Sequence, residues 1–444
     1  MIRKLKEIHL GPRLLPTIGL LALLFAISFF AERLFPLAYA LTVILAATFI
    51  AELFMLFGGA MEIQAEREAG KVLSLGDKNP IRIKLYNLSR MAVNLEVIDE
   101  LPFQLQERHM SHVLRLEMEQ VHELQYHIRP TSRGEYCFGT IQILLRGPLR
   151  LLARKLSRGN AEMVKVLPSI MQMKEFELKA FSRIALQDGV KKLRKSGISY
   201  EFEQIHPYVK GDDIRHINWK ASARRQNLMV NRFETERSQS VYNVICKNRE
   251  MRMPFNGLSL MDHAVNTSLA VSNVALLKYD RAGLITFSDK IGSTLRASRE
   301  AMQLKQIMTA LYNEKERETE ANYELLNSSL RKIAPNRSLI FLYINFESSF
   351  ALDRALPYLK VISKRHLLVV IFFKNVEIES LTHKAANNVK EIYSRTIAQR
   401  MVNEKEAMRR KLQQAQIQTI LTEPERLSMR TVEKYLDLKG RGSI

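Results

Sequence analysis

Two apolar runs open the chain, at residues 14–30 and 37–57. The first lies near the short end of the roughly 17–25 residues that a bilayer-spanning helix needs, and the second is comfortably long. Residues 31–36, Ala-Glu-Arg-Leu-Phe-Pro, join them, so the pattern predicts a tight transmembrane helical hairpin within residues 1–60. Pro16 and Pro36 each fall near a helix start, where a missing N–H costs little. Arg3, Lys4, Lys6 and Arg13 precede the first run, and basic residues stay on the cytoplasmic side. Two crossings then return the remaining chain to that side. A cleaved leader competes with this reading, but Ser28-Phe29-Phe30 is too bulky for a processing site.

From about residue 61 to 168 the pattern changes to a period of two. Residues 81–86, 93–98, 114–116, 123–128 and 141–144 alternate apolar with polar, as half-buried strands do. Gly76-Asp77, Pro102, Pro130, Gly134 and Gly147-Pro148 punctuate the intervals, and a small β-sandwich is expected. His109, His112, His122 and His127 have irregular spacing and fall on mixed strand faces, which argues against a zinc site.

Residues 240–444 alternate β and α. Apolar strands are expected at 241–246, 283–288, 339–344 and 367–373, with helices at 260–277, 301–312, 323–333 and 352–363. Continuous apolar strands are those of a parallel sheet covered on both faces, so a doubly wound α/β domain is expected, followed by a charged helical tail over 385–418.

Composition adds two constraints. A formal charge of +21 attracts anionic partners such as phospholipid head groups, nucleic acid or an acidic protein face. Cys137 and Cys246 lie in different expected domains, so no disulfide framework or cysteine metal site is implied.

Between these modules, residues 169–239 carry an unusual mixture. Gly211, Asp212 and Asp213 are turn chemistry, and Arg215, the single tryptophan Trp219, Lys220, Ala223 and Arg224 come within a few positions. Glu201, Phe202 and Tyr208 precede them. Together with Arg232-Phe233-Glu234, this segment resembles the signature of the domain of unknown function 58 family. His206-Pro207 and Asn218 replace residues that the family usually carries, Arg-Glu and Asp. Pro130-Thr131-Ser132-Arg133-Gly134-Glu135-Tyr136-Cys137-Phe138-Gly139 is similar to a second family turn.

The resemblance implies a protein of the bacterial inner membrane with a von Willebrand A-type, Rossmann-like domain, associated with a MoxR-type AAA+ ATPase. Such domains hold a divalent cation on oxygen ligands beyond the carboxyl ends of the strands. Here Cys246 replaces the leading carboxylate, with Asn248 and Glu250 after it, while Asn345 stands for a later Asp and Ala321-Asn322 for Thr-Asp. A degenerate metal site with no cofactor is therefore expected.

His206, Asp212, Asp213 and His216 could form an acid–base cluster, but Lys210, Arg215, Lys220 and Arg224 are ready partners for the acids, so structural ion pairs are expected. No phosphate-binding lysine loop, nucleophile elbow or HExxH motif is present. The reading is a non-enzymatic, membrane-anchored scaffold that acts on other proteins through its α/β domain, with no small-molecule substrate. Alternatives are a metal-dependent adhesion module and a basic protein binding nucleic acid or anionic lipid. Against nucleic acid, the Lys191-Lys192-Leu193-Arg194-Lys195 cluster lacks regularly interleaved aromatic platforms.

Overall fold

The computed structural model describes residues 7–58, 61–89, 91–107, 110–169, 171, 173–174, 201–209, 212, 214–234, 238–383 and 388–442. It is a mixed α/β chain that divides into two compact units, Met1–Leu167 and Pro168–Ile444.

After a short strand, unit 1 carries two apolar helices, Leu14–Phe30 and Phe35–Phe57, joined by a single helical turn at Glu32–Leu34. Pro36 falls in the first turn of the second helix, where its absent N–H removes no bond. The stretch Glu32–Phe57 is long and apolar enough to cross a membrane, and Leu14–Phe30 is a shorter apolar helix. Their side chains are largely outward, Phe30 being 89% exposed.

The rest of unit 1 is β. Strand Asn79–Asn87 alternates buried and outward positions along its length and pairs antiparallel with Ile63–Glu68 and Val121–Ile128. A second sheet runs Ile8–Leu10, Leu152–Arg158, Ile141–Arg146, Val93–Asp99, Ser111–Leu116, and a third holds Val72–Ser74, Glu162–Leu167 and Gly134–Phe138. The Arg133-to-Gly139 turn is a packing device: Phe138 lies under the Arg67 guanidinium at 5.0 Å, and Gly139 O accepts from Arg67 Nη2 at 3.0 Å. Arg67 also pairs with buried Asp99, which accepts from the Tyr126 hydroxyl. His112, His122 and His127 lie on separate strand positions, and His109 is outside the described residues.

Unit 2 is built on a six-stranded sheet: β1 (Ser240–Cys246), β2 (Arg281–Phe287), β3 (Ile291–Ser298), β4 (Leu339–Tyr343), β5 (Leu367–Phe373) and β6 (Gln418–Thr422). The spatial order is β3-β2-β1-β4-β5-β6, all neighbours parallel except β3 against β2. Val241 to Cys246 are buried without interruption, which requires cover on both faces. The cover comes from α1 (Leu260–Leu277), α2 (Gln303–Asn313), α3 (Tyr323–Ile333), α4 (Ser349–Arg365), α5 (Val376–His383), α6 (Val389–Gln414) and α7 (Leu427–Gly440). A capping box between Ser259 and Asp262 starts α1. Buried Asp280 closes the sheet's other end, accepting from Gln239 N at 3.0 Å, Tyr435 Oη at 2.5 Å and Lys439 Nζ at 2.8 Å.

Two segments differ from the sequence reading. The stretch 385–418 read as a charged helix holds α6, but it is followed by a parallel strand, β6, that was not expected before the closing helix α7. The short polar–apolar run Gln418–Thr422 is masked in the sequence by the charged helix before it. The signature, read as turn chemistry, is flanked by an antiparallel ribbon, Glu201–Pro207 against Met229–Glu234.

Candidate functional site

Strand order reverses between β1 and β4, and in an open parallel sheet that reversal leaves a crevice beyond the carboxyl ends. Cys246 closes β1 and is fully buried; burial pushes its thiol up to about 12. Asn248 and Glu250 come next, with Asn248 Nδ2 donating to Glu250 Oε2 at 3.2 Å. Asn345, beyond β4, donates to Glu250 O at 3.4 Å. The four positions singled out as a degenerate metal site therefore gather at one place. Asn322 Oδ1 is spent on a cap, accepting from Leu325 N at 2.9 Å at the start of α3.

A residue missed from the sequence completes the crevice. Lys405, on α6, donates to Asn345 Oδ1 at 2.9 Å and to Phe346 O at 2.5 Å. Burial pulls its ammonium down to about 8, against the opposing fields of Glu250, Glu347 and Glu404. Burial likewise raises Glu250, reinforced by Glu347. A divalent cation would meet this ammonium already seated on one of its ligand oxygens. Asn248 Oδ1 is buried without a partner among the described residues, yet one orphan oxygen beside an ammonium and a protonated thiol does not fit a dication. Among the described residues, no three His, Cys, Asp or Glu side chains gather into a metal-holding group. The sequence signal for Lys405 was faint, one lysine in a charged helix.

Beside the crevice lies a buried ion pair. Lys247 Nζ donates to Glu314 Oε2 at 2.6 Å, while Glu314 Oε1 accepts from Thr286 Oγ1 at 2.7 Å and Ser293 N at 2.9 Å. Burial alone would raise this carboxyl, but the bonds from Lys247, Ser293 and Thr286 outweigh it and hold it down to about 2. Gly292 is required there, since a Cβ would lie 2.4 Å from Thr286 Oγ1 and 2.5 Å from Lys247 Nζ.

In the signature, Asn218 takes over what an aspartate would do. Its Oδ1 caps the short helix Trp219–Arg225 by accepting from Ala221 N at 3.0 Å, and its Nδ2 donates to Asn231 Oδ1 at 2.8 Å. Ser222 Oγ bonds Asn218 O at 2.8 Å and accepts from Met229 N at 2.9 Å, fastening the helix to the ribbon. Asp212 Oδ2 accepts from Val209 N at 2.9 Å while Asp212 N donates to Val209 O at 2.9 Å, closing the turn, and the carboxylate lies 3.8 Å from His206 Nδ1. It is half-buried and serves the turn. Glu201 and Phe202 stand at the start of the ribbon, Tyr208 N bonds Leu228 O at 2.8 Å, and Gly211, Asp213 and Lys210 are outside the described residues. Arg215, Lys220, Ala223 and Arg224 are exposed. Trp219 is 70% exposed, Ile214 68% and Val209 63%.

The chain is thus a mixed α/β protein with N-terminal apolar helices. Its residues 204–419 match the model of the family described as "Protein of unknown function DUF58", which supports the resemblance seen in the signature. No curated protein matches the chain. Among solved structures, a CARDB domain from Pyrococcus furiosus, in complex with di-metal ions, is 13% identical, with 24% of this chain and 90% of that one covered at a TM-score of 0.19. Native alpha-2-macroglobulin from Escherichia coli is 17% identical, with 24% of this chain and 17% of that one covered at 0.20. Proximal thread matrix protein 1 from the mussel byssus is 9% identical, with 45% of each chain covered at 0.26. Scores of this size carry no argument about fold or function.

Proposed function

We propose that this chain is a membrane-anchored scaffold or adaptor that works by contact, without a cofactor and without catalysis of its own. Its apolar helices form a transmembrane hairpin in a bacterial inner membrane, and its bulk faces the cytoplasm. Unit 2 is then a von Willebrand A-type, doubly wound domain, whose strand order agrees with that class. Its partner is a protein, in keeping with the family's association with MoxR-type AAA+ ATPases.

One observation carries the reading. The signature turns Trp219, Ile214 and Val209 outward next to Lys220 and Arg224, although a tryptophan kept for stability would be buried. Exposed aromatic and basic side chains on a rigid support are the material of interface hot spots. The Lys405 ammonium in the strand-end crevice supports the cofactor-free part.

The test is affinity capture of the detergent-solubilised chain from its own membranes, with mass spectrometry of the proteins that co-purify. An AAA+ ATPase should be recovered with the native chain and lost with Trp219→Ala. Equal recovery by both, or recovery of no ATPase by the native chain, would sink the proposal.

A further inference from the structure

Glu52 lies near the end of the helix Phe35–Phe57 and is 3% exposed, a costly position for a carboxylate without donors. Three main-chain donors supply its bonds. Oε1 accepts from Leu149 N at 3.0 Å, and Oε2 accepts from Leu151 N and Leu152 N at 3.1 Å each. Gly147 makes the approach possible, since a Cβ there would lie 2.0 Å from Glu52 Oε1. One turn further, Leu56 O accepts from Arg154 Nη1 at 3.1 Å.

The first apolar helix reaches the same loop. Gly11 N donates to Leu151 O at 2.8 Å, and strand Ile8–Leu10 pairs antiparallel with residues 152–154, just before the helix begins at Leu14. Both helices therefore end on residues 147–152. The rim around that end is apolar and cationic together. Leu10 is 62% exposed and Leu149 48%, while Arg13 and Arg150 are exposed with no acid partner among the described residues.

We propose that this rim seats the β module in the headgroup layer of the bilayer. Leu10 and Leu149 reach the acyl boundary, and Arg13 and Arg150 meet the phosphates of anionic phospholipid. The proposal rests on the membrane reading above and adds the lipid-facing residues and the lipid class. Continuity argues for lipid as the occupant, because the two apolar helices leave from the middle of the rim. Length agrees: residues 35–51, at ~1.5 Å each, span about 25 Å, so Glu52 and its loop stand near the edge of a hydrocarbon layer of about 30 Å. Two guanidiniums then favour anionic over zwitterionic headgroups. Glu52 is a positioning residue that fixes the loop at that height.

The full chain carrying Cys137→Ser and Leu149→Cys is labelled with an environment-sensitive fluorophore and reconstituted in phosphatidylcholine vesicles, with and without phosphatidylglycerol. Expected are blue-shifted emission and quenching by shallow nitroxide lipid, both stronger with phosphatidylglycerol. Arg13→Gln with Arg150→Gln should remove the anionic increment, and Glu52→Ala, which leaves the rim residues in place, should reduce the shielding. Emission as in water from a chain that resists alkaline carbonate overturns the seating alone. A chain stripped off by carbonate overturns the membrane reading with it. Shielding unchanged in Glu52→Ala overturns the positioning role.

Discussion

Lys405 reaches Asn345 from sixty residues further along the chain, its ammonium donating to Asn345 Oδ1 at 2.9 Å. That seat has two measurable consequences. Lys405→Asp replaces the ammonium with a carboxylate beside Glu250 and Asn345, so calorimetric titration with Mn²⁺ should show binding in this variant and none in the native chain. The ammonium also titrates low, at about 8 against an ordinary 10.5, because burial disfavours its charge. Between those values the unfolded chain binds more protons than the folded one, so this group makes folding more favourable as pH rises through the window. The rise should vanish from the pH dependence of the melting temperature in Lys405→Met. Glu314 behaves oppositely. Held at about 2 against 4.5, it contributes stability that is full above pH 4.5 and is lost as pH falls toward 2. Glu314→Ala leaves Lys247 buried without its counter-charge, a loss of roughly 3–5 kcal/mol that chemical denaturation would measure. Cys246, raised to about 12, should ignore thiol reagents in the folded chain while exposed Cys137 reacts.

Elements whose burial pattern is strongly periodic were legible from the sequence. The alternation in Asn79–Asn87 and the unbroken apolar runs of β4 and β5 each admit one reading, because a side-chain period of two, or its absence, reports which faces are covered. The edge strands were not. Ile291–Ser298 alternates through Gly292, Ser293 and Thr294, and β6 is short and polar, so neither carries the apolar signal that a central strand must. The candidate crevice was half legible. Cys246, Asn248, Glu250 and Asn345 could be placed by strand ends, whereas Lys405 required knowing where α6 crosses. The signature helix was hidden by its length of seven residues, too short for periodicity, and is held by its cap and by Ser222. Asn218→Ala should therefore cost about 1 kcal/mol and expose the 219–225 amides to hydrogen exchange, while Asn218→Asp, an equivalent cap acceptor, should preserve their protection.

At the scale of the whole molecule, the surplus of positive charge and the paired apolar helices have to be accommodated together. Basic residues precede the first helix, and under the proposed topology the second helix would return the chain to the side from which it started. The outward tryptophan and its cationic neighbours would then face the side where the proposed ATPase partner works. The chain would also face the leaflet whose anionic lipids attract its charge. The arrangement is open to a direct check. A C-terminal epitope should survive protease added to spheroplasts and be destroyed when inside-out vesicles are treated. The reverse pattern would put the signature on the wrong side of the membrane for an ATPase and leave the cytoplasmic scaffold without a partner to hold.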